Sequence, residues 1–141
     1  MSGLADAVDG IVHEPTQVSD SAVDLTVAEV YEVHGPGRVD FGGGELTEAD
    51  VVPHSRTWRD EGDEYQWWHL EAGTYLLEYN ESLAGESLSD EALLQPRTEI
   101  LERGASHPSL RVDTLSRIPL TVGGAGIRLK ENARVSTLSE V

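Results

Sequence analysis

Cysteine is missing from this chain, which excludes disulfides and thiol nucleophiles and accords with a cytoplasmic protein. Long apolar runs are missing too. No stretch nears the ~18 residues that a membrane-spanning helix needs. No basic segment followed by an apolar block opens the sequence, so no secretory leader is expected either. Phenylalanine and methionine are scarce, one of each, so a core has to be built mostly from Val, Leu and Ile. Lysine is nearly absent: Lys130 stands alone beside nine arginines.

Negative charge, by contrast, is abundant. Acidic residues number 26 against 10 basic ones, a formal net charge of −16 in 141 residues. The acids recur along the whole chain, as in Asp60-Glu61-Gly62-Asp63-Glu64, instead of gathering in a tail. Such a surface repels nucleic acid, so no nucleic-acid partner is expected. It also suits solubility in molar salt, where the Debye length falls to ~3 Å, and the reading is a halophilic cytoplasm. Three Trp, four Tyr and regular aliphatic runs argue against a disordered acidic chain. The length suits one domain, residues 1–141.

Leu4, Val8 and Ile11 recur at helical spacing and predict a short amphipathic helix over residues 1–12. From residue 21, Val23, Leu25 and Val27 alternate with Asp24 and Thr26. This is a strand of period two, with a bulge expected near Ala28 before Val30 and Val33 continue it. Gly35-Pro36-Gly37 reads as a turn into a second strand, Arg38 to Phe41. Residues 45–66 read as a long polar loop anchored by Trp58. Strands follow at 66–70 and 74–79, then a polar connector at 82–92. Short strands are expected at 110–113, at 117–122 with Pro119 marking an edge, at 127–129 after a Gly123–Gly126 turn, and at 133–138. Eight to ten short strands with glycine turns indicate an all-β sandwich, jelly roll or barrel.

The stretch from Leu93 to Ala105 organises the chemistry. A short apolar run is stopped by Pro96, Thr98 stands where a helix N-cap would, Glu99 follows in the first turn, and Gly104 ends the helix. Arg97 adds a planar fork matched to phosphate oxygens, so the stretch reads either as a phosphate cradle or as an ordinary strand-to-helix turn. Asp24 and Asp113 are candidate buried carboxylates, each within or at the end of an apolar strand, where an unpaired charge is costly. Asp113 could orient and deprotonate a water beside phosphates held by Arg97 and Mg²⁺. The five histidines show no H-x-x-x-H or H-E-x-x-H spacing, no P-loop signature occurs, and no residue is directly assignable as a metal ligand.

Four segments in order resemble the deoxyuridine triphosphatase (dUTPase) family in its archaeal form, which is related to deoxycytidine triphosphate (dCTP) deaminases. They are Ala22-Val23-Asp24-Leu25, Pro96-Arg97-Thr98-Glu99-Ile100 with Gly104-Ala105, Asp113 about nine residues beyond that glycine, and Ala133-Arg134-Val135-Ser136-Thr137. The resemblance covers most of residues 18–138. It implies a jelly-roll-like distorted β-barrel with one or two short helices, assembled as a homotrimer with active sites between subunits. It implies hydrolysis of the deoxynucleoside triphosphate dUTP by water to dUMP and pyrophosphate, with Mg²⁺ as cofactor and no membrane partner. By the same resemblance Asp113 and Asp24 are the catalytic pair, one positioning the water and the other supporting the metal–phosphate site. Arg97 and Thr98 would bind phosphate. Arg134, which would also brace the subunit contact, and Thr137 complete the substrate-binding set. Three departures stand out. Glu99 replaces the motif's second serine. Thr114-Leu115-Ser116-Arg117 follows Asp113 where the family carries a tyrosine motif. Ile118 to Val122 lacks the glutamate that deaminases use. The alternatives are a dCTP deaminase or bifunctional deaminase, and a catalytically inactive nucleotide-binding relative.

Overall fold

One long strand carries the architecture. The computed structural model describes residues 3–84 and 91–141, and in it β2 runs over Ala22–Gly35. Before it come a 3₁₀ turn at Leu4–Ala7, β1 at Val8–Asp9 and a one-turn helix α1 at Glu14–Gln17. After it come β3 (Asp50–Pro53), β4 (Trp67–Leu70), β5 (Gly73–Tyr79), β6 (Ser82–Leu83), β7 (Ala92–Pro96), a second one-turn helix α2 (Thr98–Leu101), β8 (Ala105–Ser106), β9 (Leu110–Val112), β10 (Ile118–Val122), β11 (Ile127–Lys130) and β12 (Arg134–Glu140). Residues 85–90 of the connector expected at 82–92 lie outside the described residues.

The all-β expectation holds. The main sheet has the order β8-β10-β5-β2-β12-β7-β9, with β3 pairing the far end of β2, and it curls into half a barrel. The expected bulge is present: the pairing of β2 with β5 slips between Val27 and Glu29. Ala22 to Thr26 pair with β12, whereas β5 takes Val27 before the bulge and Glu29 to Glu32 after it. An extra residue bends a strand and sharpens its twist, so β2 passes from one neighbour to the other and curls the sheet.

The core is mostly aliphatic. Val23, Leu25, Val27, Val30, Leu77, Leu120, Val135 and Leu138 are essentially inaccessible to solvent, and Trp68 is the largest side chain among them. Burying each such side chain is worth roughly 1.5–3 kcal/mol. Trp68 comes from a separate ribbon in which β4 pairs β11. Gly126 makes the turn into that ribbon at φ +74°, and a Cβ there would lie 2.6 Å from the Leu70 carbonyl oxygen. Only glycine fits such a position.

Several expectations need correction. The N-terminal helix is a single 3₁₀ turn followed by β1, because Val8 pairs with Leu83. Leu4 and Val8 are buried as their spacing implied, but the β-pairing claims the second. Residues 39–41 are not a strand. Arg38 makes one bridge to Thr47, and the hairpin partner of β2 is β3, inside what reads as a polar loop. Trp58 is exposed and anchors nothing; the loop is tied down by the Thr57–Trp67 bridge. Pro96 ends β7 as expected, in register with Ser136. The Gly123–Gly126 turn is present and joins two different sheets.

Candidate functional site

Alternation along three neighbouring strands builds the site. Val23 of β2, Leu138 of β12 and Leu94 of β7 lie side by side across the sheet, all buried. One step along, Asp24, Thr137 and Gln95 form the next row. Successive side chains in a strand point to opposite faces, so this polar row is turned away from the core. Arg134 reaches the same face through a slip in β12 between Arg134 and Ser136. In a regular strand those two side chains would share a face, and Ser136 is fully buried.

Asp24 is the hub. Its Oδ2 accepts from Arg134 Nη1 at 3.0 Å and lies 3.7 Å from Arg97 Nε; its Oδ1 accepts from Thr137 Oγ1 at 2.9 Å. Arg97 sits between β7 and α2. Its backbone N–H donates to the Val135 carbonyl, and its Nη1 reaches the Arg134 carbonyl at 3.5 Å. The outer edge of its guanidinium meets Glu99, with Nη2 and Oε2 3.4 Å apart. Around this group opens a groove of about 660 Å³, lined by Asp24, Gln95, Arg97, Thr98, Glu99 and Thr137 among others. Four of the six expected site residues line it, namely Asp24, Arg97, Thr98 and Thr137, and Arg134 braces it through Asp24.

Asp113 is not brought to this groove. It follows β9, exposed to solvent, so the expectation of a buried carboxylate there is wrong. Asp24 is well covered, but it is paired rather than free. Thr98 is not the N-cap: Arg97 holds that position and caps with no side-chain bond, while Thr98 is the first residue of α2. With only one turn, α2 has little dipole to offer an anion, so any anion recognition rests on the arginine fork.

Two buried polar groups escape a reading of the sequence. Glu81 lies just past β5 with its carboxylate buried. It accepts from the Thr26 N–H at 2.8 Å, the Thr26 hydroxyl at 2.6 Å and Gln17 Nε2 at 2.8 Å. Gln17 also donates to the Asp24 carbonyl, so α1 is pinned to β2 directly behind the hub. The second group joins His107, Ser136 and Tyr79. His107 Nδ1–H donates to the Pro108 carbonyl at 2.9 Å. Its Nε2 therefore accepts from the Ser136 hydroxyl, whose oxygen accepts from the Tyr79 phenol at 2.6 Å. Burial holds His107 below its ordinary pKa and pushes Tyr79 up to about 12. Ser136 is completely enclosed, so this serine–histidine contact has no access to a substrate. The only hint of Glu81 in the sequence is a carboxylate two residues past the apolar strand of Tyr75 to Tyr79.

A second open groove, of about 470 Å³, gathers Glu32, His34, His54 and His69. Glu32 pairs with His34 at 2.8 Å and lies 3.6 Å from His54, and the His34 hydrogen bond holds its carboxyl below the usual range. Among the described residues, no three His, Asp or Glu side chains converge as ligands for a metal ion. No helix among them is long and apolar enough to cross a membrane.

No family model matches the chain. Among curated proteins, it is 29% identical over 128 residues to a probable deoxyuridine 5'-triphosphate nucleotidohydrolase of Methanosarcina acetivorans, covering 87% of this chain and 71% of that one. It is 27% identical over 136 residues to the protein of the same name from Methanosarcina mazei, covering 93% and 75%. Among solved structures, the fold resembles the 2'-deoxycytidine 5'-triphosphate deaminase from Agrobacterium tumefaciens, with a TM-score of 0.61 at 16% identity. That match takes in 95% of this chain and 43% of the deaminase chain.

Proposed function

We propose that the chain, similar to probable deoxyuridine 5'-triphosphate nucleotidohydrolases at 27–29% identity and to a dCTP deaminase in fold, is a relative of the dUTPase and dCTP deaminase family that hydrolyses dUTP to dUMP and pyrophosphate. The observation that carries the reading is the convergence of Arg97, Thr98, Arg134 and Thr137 on one groove around Asp24. Arg97 supplies a fork for phosphate oxygens, and Thr98 a hydroxyl beside it. Asp24 holds both arginines in place, with Thr137 fixing the other carboxylate oxygen. Asp113 positions the attacking water. Since it lies outside the groove of its own copy, it serves the groove of a neighbouring copy in the homotrimer that belongs to this proposal.

Magnesium enters the reading as a companion of the triphosphate, because Mg²⁺ keeps several waters and is commonly held through substrate phosphates. The described side chains do not make a seat for it: both oxygens of Asp24 are occupied, and no set of three ligands converges. A molar-salt cytoplasm completes the proposal, drawn from the net charge of −16.

A second reading, a nucleotide-binding relative without turnover, is favoured by one observation, the Glu99 carboxylate lying on Arg97. Product analysis decides. Pyrophosphate without ammonia from dUTP supports hydrolysis, and ammonia from dCTP would indicate deamination instead. Asp113→Asn should lower turnover by orders of magnitude while leaving nucleotide affinity nearly intact. Unchanged turnover removes Asp113 from its role, and binding with no product at all leaves the second reading.

A further inference from the structure

We infer that Glu99 is a built-in competitor for the phosphate-binding edge of Arg97, so that an anion entering the groove must displace it. The inference rests on the phosphate reading of the groove and adds a determinant of ligand charge to it. The guanidinium of Arg97 has its Nε edge towards Asp24 and its Nη1 towards the Arg134 carbonyl, and its side chain is 17% exposed. Those contacts come from the sheet and fix the fork. The Nη2 edge is left over, and there the Glu99 carboxylate, 56% exposed, sits 3.4 Å away, both residues lining the groove. The main chain of Glu99 is separately held, its carbonyl accepting from Arg103 Nη1 at 2.9 Å. The carboxylate can therefore swing off Arg97 without disturbing α2.

A carboxylate and a phosphate offer the same paired oxygens to a guanidinium. Glu99 thus occupies the place an incoming phosphate needs, and after displacement its charge still faces the ligand. Weakly charged anions lose this competition, whereas a polyphosphate carries enough charge to win it. The Glu99 carboxylate is largely exposed, so salt screens the competition.

The test is calorimetric titration of sodium tripolyphosphate, without Mg²⁺, into wild type, Glu99→Gln, Arg97→Ala and the double variant, at low salt and in molar KCl. Glu99→Gln should bind roughly two- to fivefold more tightly than wild type at low salt, the weight of one partly exposed ion pair. The gain should shrink in molar KCl and vanish in the Arg97→Ala background. Glu99→Gln binding equal to wild type, while Arg97→Ala loses affinity, overturns the inference and leaves the phosphate reading standing. Weaker binding by Glu99→Gln also overturns it, since Glu99 would then help to hold the anion. Unchanged affinity in Arg97→Ala would instead defeat the phosphate reading itself. Thr98→Ala provides the same control if Arg97→Ala does not fold.

Discussion

Replacing Asp24 by asparagine removes one charge and almost no volume, and it probes the joint between β2, β12 and β7. In the native groove the carboxylate takes the Arg134 guanidinium at 3.0 Å, the Thr137 hydroxyl at 2.9 Å and the Arg97 Nε at 3.7 Å. An asparagine oxygen can keep the Thr137 bond, but its NH₂ would then face two guanidinium groups, donor against donor. The Asp24 and Arg97 side chains are only 18% and 17% exposed and Arg134 is 37% exposed, so the pairs fall between surface and buried ion pairs. Surface pairs contribute at most ~1 kcal/mol, and breaking a buried one costs 3–5 kcal/mol. The expected loss for Asp24→Asn is about 2 kcal/mol. With a urea dependence of ~2 kcal/mol per molar for a domain of this size, the unfolding midpoint should fall by ~1 M. Part of the loss should disappear in molar KCl, because Arg134 is within reach of screening ions. A midpoint within ~0.2 M of wild type at low salt would refute the argument and reduce the hub to a surface contact.

Glu81→Ala leaves the Thr26 N–H, the Thr26 hydroxyl and Gln17 Nε2 without their acceptor, and should cost roughly 3 kcal/mol by urea unfolding; less than ~1 kcal/mol would mean that water replaces the carboxylate. Leu25→Ala opens a cavity at a fully enclosed site and should cost ~2–5 kcal/mol, with a small loss showing that the sheet collapses around it. His107 binds its proton less readily folded than unfolded, because burial favours the neutral ring. Its contribution is therefore complete above the ordinary histidine value of ~6.5 and declines as pH falls through that value. Stability followed from pH 8 downward should drop more steeply in wild type than in His107→Gln, and parallel curves would contradict this.

Period-two alternation was enough to read Asp24 and its place on β2, since Val23, Leu25 and Val27 define a buried face and Asp24 must lie off it. The bulge near Ala28 was legible for the same reason, as a break in that alternation. Strand partners were not legible. The ribbon of β4 with β11 joins segments nearly sixty residues apart, and no local property of Trp67-Trp68-His69-Leu70 names Ile127–Lys130 as its partner. The Glu99 carboxylate on Arg97 was equally hidden, because two residues apart in sequence says nothing about which way a side chain turns past the end of β7. Asp113 failed differently: it follows an apolar strand, but β9 lies at the sheet edge and its own residues are barely covered, so a strand-end carboxylate there reaches solvent.

The most direct test of the groove as a nucleotide triphosphate site is the affinity of dUTP and of deoxyuridine for wild type and for Arg97→Ala. Loss of the arginine fork should weaken dUTP by tenfold or more, about 1.4 kcal/mol or above, and leave deoxyuridine nearly unchanged. Equal losses for both ligands, or no loss for either, would contradict the assignment of Arg97 to the phosphates.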